Sequence, residues 1–127
     1  MQSRSTGNHK QLIAWQKAVG LAISVHEITA KFPKSELFGL TAQIRRAAVS
    51  IPSNIAEGAA RGSSKDFLRF MYIASGSCAE LETQLHIARA VGYAENSSTI
   101  EKRLVEVGKL LSAIIRTLRN QITSPQP

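Results

Sequence analysis

Residues 100–118 read IEKRLVEVGKLLSAIIRTL, and their apolar spacing decides the fold. Ile100, Leu104, Val107, Leu111, Ile114 and Leu118 alternate steps of four and three. That spacing keeps one stripe of a helix apolar and suits knobs-into-holes packing against other helices. A strand could not use it, because strand side chains change face at every residue. A helix with one apolar stripe needs neighbours, and the sequence upstream predicts three more.

The polar loop 94–98 leads into this fourth helix, and Ser98 with Glu101 reads as the capping box that opens it. A similar pair, Ser63 and Asp66, opens the third helix. Its stripe is Phe67, Phe70 or Met71, Ala74, Cys78, Leu81, Leu85 and Ala88, and Gly92 terminates it. The small run Ser75, Gly76, Ser77 predicts a place where a facing helix comes close. The second helix begins between residues 35 and 41 and reaches about residue 60, turning Leu40, Ile44, Ala47, Ala48, Ile51 and Ile55 inward. Pro52 removes the bond to the Ala48 carbonyl, which predicts a kink near Pro52. A break is not expected, since the apolar spacing stays in phase through Ile55 and Ala59. The first helix spans about 11–31 and stops before Pro33. It carries two stripes, Leu12, Trp15, Val19, Ala22 and Leu21, Val25, Ile28, Phe32. One stripe serves the core, and the other a neighbouring helix or a second protomer. Short connections make successive helices antiparallel, so the expected fold is all-α: a single antiparallel up-down-up-down four-helix bundle over 10–122, with flexible tails at 1–9 and 123–127.

A chain of 127 residues, 43% hydrophobic and 20% charged, suits one domain with one core. Sixteen Lys and Arg against nine Asp and Glu leave a net charge of +7, which raises the expectation of an anionic partner such as RNA or DNA, with a solvated basic surface as the alternative that charge alone favours. Cys78 is the single cysteine, so no internal disulfide forms and a reducing compartment is expected. The first ten residues, MQSRSTGNHK, contain no apolar run for a signal peptide, and no stretch has the roughly 18 apolar residues of a membrane span. A cytoplasmic location, with no membrane partner, follows as the expectation.

Catalytic chemistry is not expected. A di-iron bundle needs Glu-x-x-His pairs, and none occurs; Glu82 and His86, four apart, supply too few ligands. His9, His26 and His86 fall in separate segments, without a nucleophile and orienting group beside them. No phosphate-cradling glycine loop is present. No metal, cofactor or catalytic residue is therefore assigned. Two basic rows do stand out. Lys102, Lys109 and Arg116 repeat by heptads, about 10 Å of helix rise apart, with Arg119 one turn beyond and Glu106 interrupting. Arg61, Lys65 and Arg69 surround the start of the third helix, where the dipole favours an anion. Neither row has aromatics interleaved in sequence, so backbone-directed, salt-sensitive binding is expected. A polar cluster, Asn54, Glu57 and Arg61, with Arg45 and Arg46 upstream, remains. Glu57 and Arg61 are spaced to pair on the helix surface, or Asn54 and Glu57 face a neighbouring helix and fix its register.

The segments LIAWQKAVGLA (12–22), FPKSELFGLTAQIRRAAVSIPSNIAEGAARGS (32–63) and FLRFMYIASGSCAELETQLHIARAVGY (67–93) carry a family resemblance. SIPSNIAEG together with QIRRA and GSCAELETQ resembles the four-helix-bundle proteins encoded within intervening sequences of 23S ribosomal RNA genes. The resemblance implies a bundle that assembles into a homopentameric ring. It also implies kinship with accessory proteins of diversity-generating retroelements, whose basic surfaces contact nucleic acid and a reverse transcriptase, and it implies no enzymatic activity. Arg46, Asn54, Glu57, Arg61 and Glu80 match recurrent polar residues of the family, with intersubunit or interhelical bonding as their implied duty. His26 stands where the family usually has an aromatic, and the polar residues before Asn8 have no family counterpart. The expected function is a non-enzymatic, homo-oligomeric bundle binding RNA or DNA; the alternative is an adaptor that docks a protein partner without nucleic acid.

Overall fold

A computed structural model describes residues 8–123. They form four α-helices, α1 (Ile13–Thr29), α2 (Leu40–Ala60), α3 (Ser64–Ala90) and α4 (Ser98–Thr123), with 3-10 turns at His9–Gln11 and Lys34–Glu36. No strand occurs among the described residues. The expected tails lie outside them at 1–7 and 124–127. Their inner ends are helical: His9 sits in a 3-10 turn with its ring edge-on to Trp15, centroids 5.1 Å apart, and Thr123 closes α4.

Each helix packs against its neighbours in the chain, and α1 closes the ring of contacts against α4. Cross-helix pairs give the directions. Lys17 meets Glu106 while Ser24 meets Arg103, so α1 and α4 run oppositely. Arg89 meets Glu101 and Ser64 meets Gln121, so α3 opposes α4. Ser50 meets Ser77 and Gly58 meets Phe67, so α2 opposes α3. Among the described residues no helix is long and apolar enough to cross a membrane.

Leu21, Val25, Ile44, Ile51, Ile55, Met71, Leu81, Leu85, Val107 and Leu111 fill the interior. Each such side chain contributes about 1.5–3 kcal/mol on leaving water. On α4 the predicted stripe faces inward, with Ile114 only partly covered. On α1 the stripe of Leu21, Val25 and Phe32 is buried, whereas Leu12, Trp15, Val19 and Ala22 are half-exposed. Ala14 and Ala18, which belong to neither stripe, are buried as well. Helix α2 runs through the buried Pro52 as one element.

Two local expectations are met only in part. Gly76 is exposed, and nothing lies within 4 Å of where its Cβ would be, so it is not the point of close approach. Of that small run only Ser77 is buried, sharing a 2.8 Å hydrogen bond with Ser50. The tight contact is at Gly58, where a Cβ would stand 2.8 Å from Phe70 Cβ and 2.9 Å from Phe67 Cδ1. Smallness matters only where helix phase turns a residue toward its neighbour, and Gly76 is turned away. At α4, Ser97 and not Ser98 precedes the helix. Its carbonyl accepts from the Glu101 N–H at 3.0 Å, and its buried hydroxyl donates to Glu101 Oε2 at 2.9 Å. Ser97 thus precedes the helix by its backbone bond, and its hydroxyl is tied to the Glu101 carboxylate.

The other ends follow the sequence. Ser63 Oγ accepts from the Asp66 N–H at 3.1 Å. Gly92, at φ +87°, lets the Tyr93 N–H reach the Ala88 carbonyl at 2.8 Å and its own N–H reach that of Arg89 at 3.0 Å, a Schellman end to α3. Arg45 donates from Nε to Thr29 Oγ1 at 2.8 Å and from Nη2 to the His26 carbonyl at 3.3 Å, placing a cation at the negative end of α1. The Tyr93 hydroxyl donates to Glu36 Oε2 at 3.1 Å, and that bond, with burial and the carboxylate charge, holds the phenol above its ordinary pKa.

Gly58→Ala should destabilise the bundle by about 1–2 kcal/mol, because overpacking outweighs the roughly 1 kcal/mol gained in helix propensity. Gly76→Ala should stabilise it by up to about 1 kcal/mol. Thermal unfolding followed by circular dichroism checks both signs.

Candidate nucleic-acid interface

Lys102, Lys109, Arg116 and Arg119 are all exposed along α4. The acid that interrupts them, Glu106, is matched by Lys17 of α1 at 3.7 Å. Among the described residues, none of the four α4 cations forms an ion pair. Arg61 sits at the C-terminal end of α2, Lys65 is exposed in the first turn of α3, and Arg69 follows one turn on. The guanidinium groups of Arg61 and Arg69 lie over the Phe70 ring, 4.9 and 4.5 Å from its centroid. Such stacking is worth about 0.5–1 kcal/mol at an exposed site.

Antiparallel packing joins the two rows. Ser64 Oγ donates to Gln121 Oε1 at 3.2 Å, so the start of α3 lies beside the end of α4. Lys65 and Arg69 thus share one end of the bundle with Arg116 and Arg119, whereas Lys102 lies toward the opposite end.

Tyr72 completes this end, and sequence reasoning missed it. It lies on the same α3 stripe as Lys65 and Arg69, by steps of four and three, and is 48% exposed. With Ile115, Arg116, Arg119, Asn120 and Thr123 it lines an open groove of about 570 Å³, and no carboxylate lines that groove. Along the chain, 43 residues lie between Tyr72 and Arg116, so nothing in the order of residues pairs them. The available signal was an exposed aromatic outside the core stripe and three residues past an arginine.

The family model of the 23S rRNA-intervening sequence protein matches residues 10–113. The chain belongs to this family. A search of curated proteins finds no match. The matched stretch includes Lys65, Arg69, Tyr72, Lys102 and Lys109, whereas Arg116 and Arg119 lie past its end.

The polar residues that the resemblance singled out separate by position. Asn54 Nδ2 donates to the Ser50 carbonyl at 2.8 Å and to Ser50 Oγ at 2.9 Å, and Ser50 bonds Ser77, so Asn54 works through a relay from α2 to α3. Glu57 pairs with Arg61 on its own helix at 2.9 Å, while Arg61 reaches α3 through Phe70. Arg46 and Glu80 are exposed. His26 also turns its side chain to solvent.

Among the described residues no three His, Cys, Asp or Glu side chains gather around a possible metal position. Glu82 and His86 line a depression with Arg89 and Glu101 toward the opposite end of the α3/α4 seam, where Arg89 and Glu101 pair at 2.6 Å. Burial pushes the Cys78 thiol up to about 11, with the Glu82 carboxylate adding to the rise.

The raised pKa keeps the thiol protonated in the folded state, so its contribution to stability is present below the ordinary thiol value of 9.0 and is lost as pH climbs through about 11. At pH 8, Cys78 should react with iodoacetamide roughly 100-fold more slowly than the unfolded chain does, and denaturant should abolish the difference. Alkylation rates with and without denaturant, read by mass spectrometry, check this.

Proposed function

We propose that this member of the 23S rRNA-intervening sequence protein family is a non-enzymatic, cytoplasmic bundle that assembles with copies of itself into a pentameric ring and binds RNA or DNA through its basic end. The observation that carries the reading is that Lys65 and Arg69 of α3 share one end of the bundle with Arg116 and Arg119 of α4, the latter two lining a groove without carboxylates. Cations from two helices can follow a phosphate backbone that one row alone would meet along a single line. Self-association is supported by the half-covered stripe of Leu12, Trp15, Val19 and Ala22 and by Phe38, a large apolar side chain 92% exposed. A protein-docking adaptor is the second reading, and it rests on the same exposed Phe38.

Lys109→Glu combined with Arg116→Glu should weaken binding of an RNA or DNA duplex and reduce the slope of log affinity against log salt by about 2, leaving the helical signal unchanged. Fluorescence anisotropy across a salt series reads both quantities. Unchanged affinity would favour the adaptor. Light scattering should return about five times the chain mass; one chain mass would contradict the ring.

A further inference from the structure

We propose that the groove between α3 and α4 takes unpaired nucleotides, one base stacking on Tyr72 while Arg116 and Arg119 hold the flanking phosphates. The proposal rests on the nucleic-acid reading above and names the form of nucleic acid that this end prefers. A surface that meets only phosphates has no use for an exposed aromatic ring. Duplex bases are already stacked inside the helix, whereas the bases of a single strand present free faces for aromatic side chains and guanidinium planes. Here one ring and two guanidinium groups line the same concavity, with Ile115 adding apolar surface. Its volume, about 570 Å³, falls within the roughly 300–1,000 Å³ of small-ligand sites, so it can admit a nucleotide but not a duplex. Ser112, Asn120 and Thr123 provide the polar remainder of the lining. The Thr123 hydroxyl is held by the Arg119 carbonyl at 2.8 Å, whereas the Tyr72 hydroxyl has no partner among the described residues and is open to a base or sugar edge. An acidic peptide could satisfy the two arginines, yet it would leave the tyrosine face without a planar group to stack on.

The test is fluorescence anisotropy at one fixed salt concentration, with a labelled uridine oligonucleotide of about 15 nucleotides and a duplex of the same length. Tyr72→Ala should weaken binding of the single strand by about 5- to 150-fold, the span expected for one lost base–aromatic stack, and change duplex binding by less than about twofold. Tyr72→Phe, which keeps the ring, should bind the single strand within about threefold of wild type. Two results overturn the groove: Tyr72→Ala leaving the single strand unaffected, or weakening single strand and duplex alike. In either case the basic-end reading survives if Lys109→Glu with Arg116→Glu still loses the duplex. Wild-type protein that binds neither probe overturns both. Because Tyr72 is half-exposed, the alanine variant should keep its helical circular dichroism.

Discussion

Gly58 has no side chain, and the bundle depends on that absence. It lets α2 come down onto Phe67 and Phe70 at a distance where a single methyl group would collide. The contact sets the phase of α3: with Phe67, Phe70, Met71 and Ala74 committed to the interior, Lys65, Arg69 and Tyr72 are turned outward. Phe70 then serves two purposes. One side of it fills the seam below Gly58, and its ring supports the guanidinium groups of Arg61 and Arg69. Further along the same seam, the relay from Asn54 through Ser50 to Ser77 sets the register of α2 against α3 with hydrogen bonds, which tolerate less slippage than apolar contact.

Charge is arranged along the α3/α4 seam with the same economy. Where α3 ends and α4 begins, Arg89 is matched to Glu101, and Glu82 lies close by. Where α3 begins and α4 ends, Arg116 and Arg119 line a groove without carboxylates, and Lys65 and Arg69 are exposed at the same end. An anion approaching that end meets several cations instead of one. Other basic residues have structural duties: Arg45 caps α1, Lys17 matches Glu106, and Arg103 donates to Ser24 at 2.5 Å.

Most of the fold was legible because helix periodicity and end signals are local. The stripe on α4, the cap at Ser63 and Asp66, and the terminator at Gly92 each needed only a few residues to read. What the sequence hid depended on phase between helices. Gly76 and Gly58 look alike in the chain, and only packing shows that Gly58 bears the close contact while Gly76 faces out. At the start of α4 the serine bonded to Glu101 is Ser97, whose burial the chain order does not reveal. The basic residues were found singly, but their gathering was not, since it arises from helices running in opposite directions with Ser64 beside Gln121. Tyr72 escaped notice for the same reason: its arginines come from another helix.

The central claim is that this packing gathers the nucleic-acid contacts at one end of the bundle. Ultraviolet crosslinking of the wild-type protein to a single-stranded oligonucleotide, followed by peptide mass spectrometry, tests it most directly. The account predicts adducts in the first turns of α3, at Tyr72 above all, and in the last turns of α4. Adducts confined to the α1–α2 connection, or to the start of α4 around Lys102, would contradict it.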